Sequence, residues 1–186
     1  MNSVPLWLRR TATVIAALAL LALVVPSSAM SQDVAVGQAT ATVLAVLSVT
    51  ATQALDFGNV YQGVAKTQDE TSDASSGIFT ITGQASAALA CYLQLPDYVA
   101  LANGTDRLPI VFSSTDATFS IQAAGTPSAP GAGASANVNP RNLTGTSMGA
   151  AGTSKIFLGG KVVPTINQTA GSYAADIVLT VAYSGT

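Results

Sequence analysis

Read with a period of two, the stretch from Gly171 to Tyr183 sorts its side chains cleanly. Tyr173, Ala175, Ile177, Leu179, Val181 and Tyr183 fall on one face; Ser172, Ala174, Asp176, Val178, Thr180 and Ala182 fall on the other. Successive strand residues point to opposite faces, so the pattern predicts a half-buried strand with one apolar side. Such a strand satisfies neither its backbone nor its apolar face alone. Neighbouring strands and an opposing sheet must come from the rest of the chain. The same alternation predicts a long strand over 39–52, with Ala41, Val43, Ala45, Leu47, Val49 and Ala51 on one face. Leu44 and Val46 interrupt its polar face, so its middle is expected to be covered on both sides.

Further strands are expected over 78–82 and 90–95, with a brief extension over 98–101 before the Asn103-Gly104 turn. The segment 55–60 reads as a short strand or a switch between sheets, with Gly58 at a bulge or turn. Residues 62–76 read as a polar loop. Residues 108–112 and 117–122 suggest a hairpin around Ser113–Asp116, with Pro109 at the start or edge of its strand because it has no N–H to donate. Residues 125–152 are Gly, Ala, Ser, Thr, Pro and Asn with little apolar mass, and read as a long exposed low-complexity loop that touches the sheet edge briefly near 137–143. Gly159-Gly160, between the apolar runs 155–158 and 161–166, makes either a hairpin turn or a bulge. Many short strands, turn signals between them and no helical segment after the N-terminus predict an all-β fold, an antiparallel β-sandwich.

The N-terminus departs from this pattern. Arg9-Arg10 precede an almost unbroken apolar run over 11–25, then Pro26 and the small residues Ser27-Ser28-Ala29. The run is short for a membrane span, which needs roughly 20 residues. Residues 1–29 are therefore expected to be a secretory signal peptide, 30–38 a mobile leader and 39–186 a single domain, with no membrane span once the signal is removed. The signal implies a secreted protein, expected in the periplasm in transit and then at the cell surface or outside the cell if the source is bacterial, as the resemblance given below implies. Beyond residue 29, five basic residues face nine acidic ones, a net charge near −4. That balance, without a basic cluster, argues against nucleic acid.

Candidate chemistry is sparse. The chain has no histidine and one cysteine. This removes Ser-His-Asp and Cys-His catalysis, histidine metal sites and cysteine-rich zinc sites. No enzyme activity, cofactor or metal is expected. Cys91 lies in a strand-like run and is read as a buried small hydrophobe, with an interchain disulfide as the alternative. Asp69, Glu70 and Asp73 could offer oxygens to calcium, but their spacing does not fit an EF-hand and a solvated loop is the plainer reading.

Three stretches carry a resemblance: ATATVLAVLSVTATQALDFGNV over 39–60, GIFTITGQASAALACYLQLPDYVAL over 77–101, and LGGKVVPTINQTAGSYAADIVLTVAY over 158–183. In order, they resemble a secreted bacterial domain-of-unknown-function family that is similar to spore coat U proteins and to subunits of chaperone–usher pili. Pilins carry a glycine twelve residues before a terminal tyrosine, with alternating apolar residues between; Gly171 and Tyr183 have that spacing. The resemblance implies an immunoglobulin-like sandwich with one strand missing or donated. It also implies a periplasmic chaperone that lends the strand, an outer-membrane usher, and neighbouring subunits whose N-terminal extensions replace it.

On that basis the expected function is a structural subunit of a surface fibre, pilus or coat, assembling with copies of itself or related subunits by strand exchange. Gly171, Tyr173, Ile177, Leu179, Val181 and Tyr183 would contact the partner strand. The donor would be 33–46, with Val34, Val36, Val43 and Val46 as plugs. Four or five buried side chains would give on the order of 10 kcal/mol before ordering costs. The alternative is a self-contained secreted sandwich that binds a glycan or protein through its loops, chiefly 125–152.

Overall fold

The computed structural model describes residues 38–185. The expected signal peptide and nearly all of the leader, including Val34 and Val36, lie outside the described residues. Residues 38–41 are exposed and without regular structure, and a compact unit begins at Thr42.

The unit is an antiparallel β-sandwich. Its first sheet has the order β1 (Ser48–Gln53), β3 (Gly77–Thr82), β9 (Thr153–Leu158), β7 (Ala117–Ser120), β8 (Ser135–Val138). The second has the order β11 (Tyr173–Ala174), β5 (Tyr98–Leu101), β6 (Arg107–Val111), β10 (Gly160–Val162), β2 (Lys66–Gln68). A two-stranded ribbon, β12 (Val178–Tyr183) on β4 (Leu89–Gln94), prolongs the edge of the second sheet, because β4 runs on into β5 and β11 into β12. Pro96 interrupts that run; it has no N–H for the ladder. No described residue is helical, so none lies in a helix able to cross a membrane.

The core lies between the layers. Phe79 and Ile81 on β3, Phe119 on β7, and Ile156 and Leu158 on β9 face Leu89, Leu93, Leu108, Ile110 and Val162 from the other layer. Their spacing of two puts each pair on one face of its strand.

The structure corrects several expectations. The long strand over 39–52 begins only at Ser48. Residues 42–47 have no ladder partner, and Val43 and Val46 are 94% and 90% exposed. Their β-favouring sequence lacks any neighbour to pair with, and a strand without neighbours is not stable. Residues 55–60 form neither a strand nor a switch; they run irregularly along the sandwich, turning at Gly58 with φ +56°. The polar loop 62–76 contains β2 and buries Glu70 and Ser76.

The predicted hairpin over 108–122 is instead a crossing. β6 pairs with β5 and β10, whereas β7 pairs with β8 and β9 in the other sheet. The turn between them is closed by the Asp116 carboxylate, which accepts the Ser113 N–H at 2.7 Å. Pro109 sits in the interior strand β6, but where the β10 ladder ends. Its carbonyl accepts the Val163 N–H at 3.0 Å, and it has no N–H to return. Gly159 also carries a crossing, from β9 in one sheet to β10 in the other. A Cβ there would lie 2.6 Å from both Gln68 O and Glu70 N, so the close backbone approach requires glycine. Finally, 125–152 is not wholly an exposed loop. It supplies β8 and buries Leu143 and Met148, and Thr146 Oγ1 donates to Leu89 O at 2.9 Å.

Candidate strand-accepting cleft

β12 has the burial its sequence demands. Leu179, Val181 and Tyr183 are half-buried against the core; Val178, Thr180 and Ala182 are exposed. Opposite them on β4 stand Leu93, Cys91 and Leu89. Among the described residues β12 pairs with β4 alone and β1 with β3 alone. Each therefore presents one row of backbone groups without a ladder partner. Such an edge is a template for another strand.

Between the irregular run that follows β1 and the run that leads into β12 lies a cleft of about 870 Å³, and no residue of β1 or β12 itself lines it. One wall is the irregular run after β1, with Leu55, Phe57 and Val60. The other is the run into β12, with Tyr173 and Ile177. The floor is made of Val99, Leu108, Ile110 and Val162. The floor residues belong to the core or pack on it, so an apolar side chain entering here would meet the interior of the sandwich.

A polar knot holds the second wall. Asp106 Oδ2 accepts from the Thr169 N–H at 2.8 Å, Gln168 Nε2 at 2.9 Å and the Tyr173 hydroxyl at 2.9 Å. The Arg107 N–H adds a bond to Oδ1 at 2.8 Å. The Thr169 donor first, then Tyr173 and Arg107, hold the Asp106 carboxyl well below the usual carboxylate range. Gln62 reaches across from the first wall and donates to Gln168 O at 2.5 Å. Gly171 follows the knot with φ +156°, and a Cβ there would lie 2.5 Å from Leu101 Cδ1. Glycine is thus needed where the wall bends into β11.

The other end of β12 is closed differently. The Tyr183 hydroxyl donates to Ala45 O at 2.8 Å and accepts from the Gln84 N–H at 2.7 Å. The Ala45 N–H in turn points to Gln84 Oε1 at 3.4 Å. A Cβ on Gly83 would run into the Tyr183 hydroxyl. Leu47, two residues on from Ala45, packs against the core.

The six residues expected to contact a partner strand thus lie along one edge. Tyr173 and Ile177 line the cleft, with Gly171 at its rim; Leu179, Val181 and Tyr183 continue the same apolar face away from it. Of the four expected plugs, Val43 and Val46 are exposed outside any sheet, and Val34 and Val36 are not among the described residues. The wall over 54–62, the Asp106 knot and the Ala45 tie are absent from the sequence reading. Only the apolar residues Leu55, Phe57 and Val60 gave a signal, and they gave it for the wrong element.

The remaining candidates have local structural partners. Cys91 is a free thiol, half-buried opposite Val181, and burial pushes its pKa up. Asp73 accepts from Ser128 N and Oγ at 2.9 and 2.6 Å. Asp69 accepts from Thr71 N and Oγ1 at 2.8 and 2.7 Å. Among the described residues no group of three or more acids and cysteines is placed to hold a metal ion. Comparison of the chain with protein-family models, with curated proteins and with solved structures finds no match.

Proposed function

We propose that this protein is a secreted structural subunit of a surface fibre, pilus or coat, and that its immunoglobulin-like sandwich joins to its neighbours by β-strand exchange. The observation that carries this reading is the pair of strand edges, β12 and β1, that lack a second ladder partner among the described residues, together with a cleft of mixed polar and apolar lining between the runs 54–62 and 168–177 and a segment before β1 whose valines lie outside any sheet. A strand laid along β12 would satisfy its backbone row, and alternate side chains would meet the apolar face of Leu179, Val181 and Tyr183. The first strand starts at Ser48, but Ala45 is tied to Tyr183 and Leu47 packs on the core, so only the residues before Ala45 are left as the donor. A periplasmic chaperone would cover the same edge before assembly, and an usher would carry the subunit outward.

Purification of the exported protein without a partner chaperone tests this. Unheated SDS gels should show a ladder of multimers that collapses on boiling. A chain that stays monomeric at high concentration, with no ladder, would contradict strand exchange. The alternative, a self-contained sandwich that binds a glycan or protein through its loops, chiefly 125–152, would instead give a monomer without a ladder.

A further inference from the structure

Among the described residues every asparagine but one precedes valine, proline, leucine or glutamine. Asn103 alone precedes glycine, at the exposed tip of the turn that joins β5 to β6. Gly104 has φ +73°, and a Cβ there would meet nothing within 4 Å, so no side chain crowds its nitrogen. The Asn103 side-chain carbonyl is doubly held. Thr105 donates to Oδ1 from its N–H at 3.1 Å and from its hydroxyl at 2.7 Å. Two donors at such distances stabilise an oxygen that gains negative charge when its carbonyl carbon is attacked. Asn139 has a similar bond from the Arg141 N–H, but Pro140 follows it and offers no N–H to attack. One contact opposes the reaction at Asn103: the Gly104 N–H donates to Leu101 O at 2.7 Å. That bond must be released first, which makes the step slow.

We propose that Asn103 is a self-modification site, where the turn promotes its own deamidation and the cleft wall loosens as the chain ages. The Gly104 nitrogen attacks Asn103 Cγ while Thr105 holds the oxyanion at Oδ1. The Cγ–Nδ2 bond then breaks. The proton of the Gly104 N–H leaves with the side-chain nitrogen as ammonia, and a five-membered succinimide remains. Water opens that ring at either carbonyl. One product is aspartate at 103; the other is an isoaspartyl linkage, with one extra methylene in the backbone. The turn is joined to the cleft wall, so the change is felt there. The Ala102 N–H donates to Ser172 O at 3.2 Å, the Leu101 N–H to Asp106 O at 2.9 Å, and Leu101 lies against Gly171. An added methylene moves these groups out of register, and a new carboxylate stands in the same turn as Asp106. The step consumes only water and needs no partner chain, so it is independent of strand exchange.

The experiment ages the purified exported chain at mildly alkaline pH and follows each asparagine by peptide mass mapping, with enzymatic methylation to detect isoaspartate. Asn103 should convert first, with release of ammonia, while the other asparagines stay amides. Thr105→Val should slow the conversion by about fivefold, less than a lost donor costs in an enclosed site, because water can replace it at an exposed turn. Thr105→Ser keeps the hydroxyl and should convert at the parent's rate; Thr105→Ala gives a second chain without it. In urea, parent and Thr105→Val should convert equally fast, since both bonds to Oδ1 belong to the folded turn. Aged parent should melt about 2–4 °C below fresh parent, and Asn103→Gln, whose longer side chain disfavours the ring, should melt alike before and after. Melting curves also confirm that each variant folds. An Asn103 that stays an amide while other asparagines convert, a folded Thr105→Val or Thr105→Ala chain that converts as fast as the parent, or aged and fresh parent that melt alike would each overturn the proposal.

Discussion

Strands β9 and β12 are both six residues long, and both alternate in part, yet they end in opposite circumstances. β9 runs between β3 and β7, and four of its six residues are buried. β12 has one neighbour, and none of its residues is fully buried. The difference is not in the strands' own chemistry: Leu179, Val181 and Tyr183 are as apolar as Ile156, Phe157 and Leu158. It lies in what surrounds them. A strand reaches full burial only when both ladders and the facing layer are present, and at β12 one ladder and part of the cover are missing. The closed strand holds the sandwich together, whereas the open one leaves one row of its backbone groups without a ladder partner.

The comparison is easiest to break by cutting equal side chains from the two strands. Ile156→Ala removes a fully buried side chain and should cost about 2–5 kcal/mol, seen in urea unfolding of the isolated subunit. Leu179→Ala should cost the isolated subunit only about 1–2 kcal/mol, because its side chain has already kept part of its contact with water. In the assembled form the ranking should change, with Leu179→Ala weakening the ladder and Ile156→Ala acting only through folding. Equal costs in the isolated subunit would mean that β12 is as complete as β9.

A smaller effect is expected at the cleft wall. Asp106→Asn should loosen the run 168–173, lowering the melting temperature at neutral pH. Because the folded carboxyl titrates below its ordinary value, its stabilisation is present above the usual carboxylate range and fades as the pH falls through the folded value. Parent and variant should therefore converge in strong acid. A constant gap at every pH would show that the knot does not depend on the ionised carboxylate.

The smallest effect belongs to the closed side. Glu70 is buried, and burial first, then the charges of Asp69 and Asp116, raises its pKa. The sign is opposite to that of Asp106: below the ordinary glutamate range its burial carries no ionisation penalty, and stability is lost as the pH rises through the folded value. Glu70→Gln should raise the melting temperature at pH 7 and leave it unchanged near pH 3. A drop at pH 7 would show that the carboxylate has a favourable partner there.

The legible part of this fold was the part governed by local alternation. The strand periods at β3, β4 and β12 follow from the order of apolar residues, and the inward set Tyr173, Ile177, Leu179, Val181 and Tyr183 follows with them. What escaped was set by distant partners. The run 42–47 has strand-forming residues but nothing to pair with, so propensity misled there. The turn at 113–116 looks the same whether it joins neighbours or crosses layers; only the burial of every residue in β7 reveals the crossing. Leu143 and Met148 are two large side chains in a run of small ones, which composition averaged away. The Asp106 knot joins residues more than sixty apart in sequence, and the Ala45 tie spans 138. No short-range pattern encodes either.

The central claim is that the cleft beside β12 accepts the N-terminal segment of a second copy. The most direct measurement adds a synthetic peptide of residues 30–44 to the exported chain lacking those residues, following the melting temperature and the stoichiometry by calorimetry. The account predicts saturable one-to-one binding and a melting temperature that climbs with peptide concentration, since a ligand of the folded state alone stabilises it by mass action. It also predicts that Leu179→Asp abolishes both. A melting temperature unmoved by excess peptide, with no heat of binding, would contradict it.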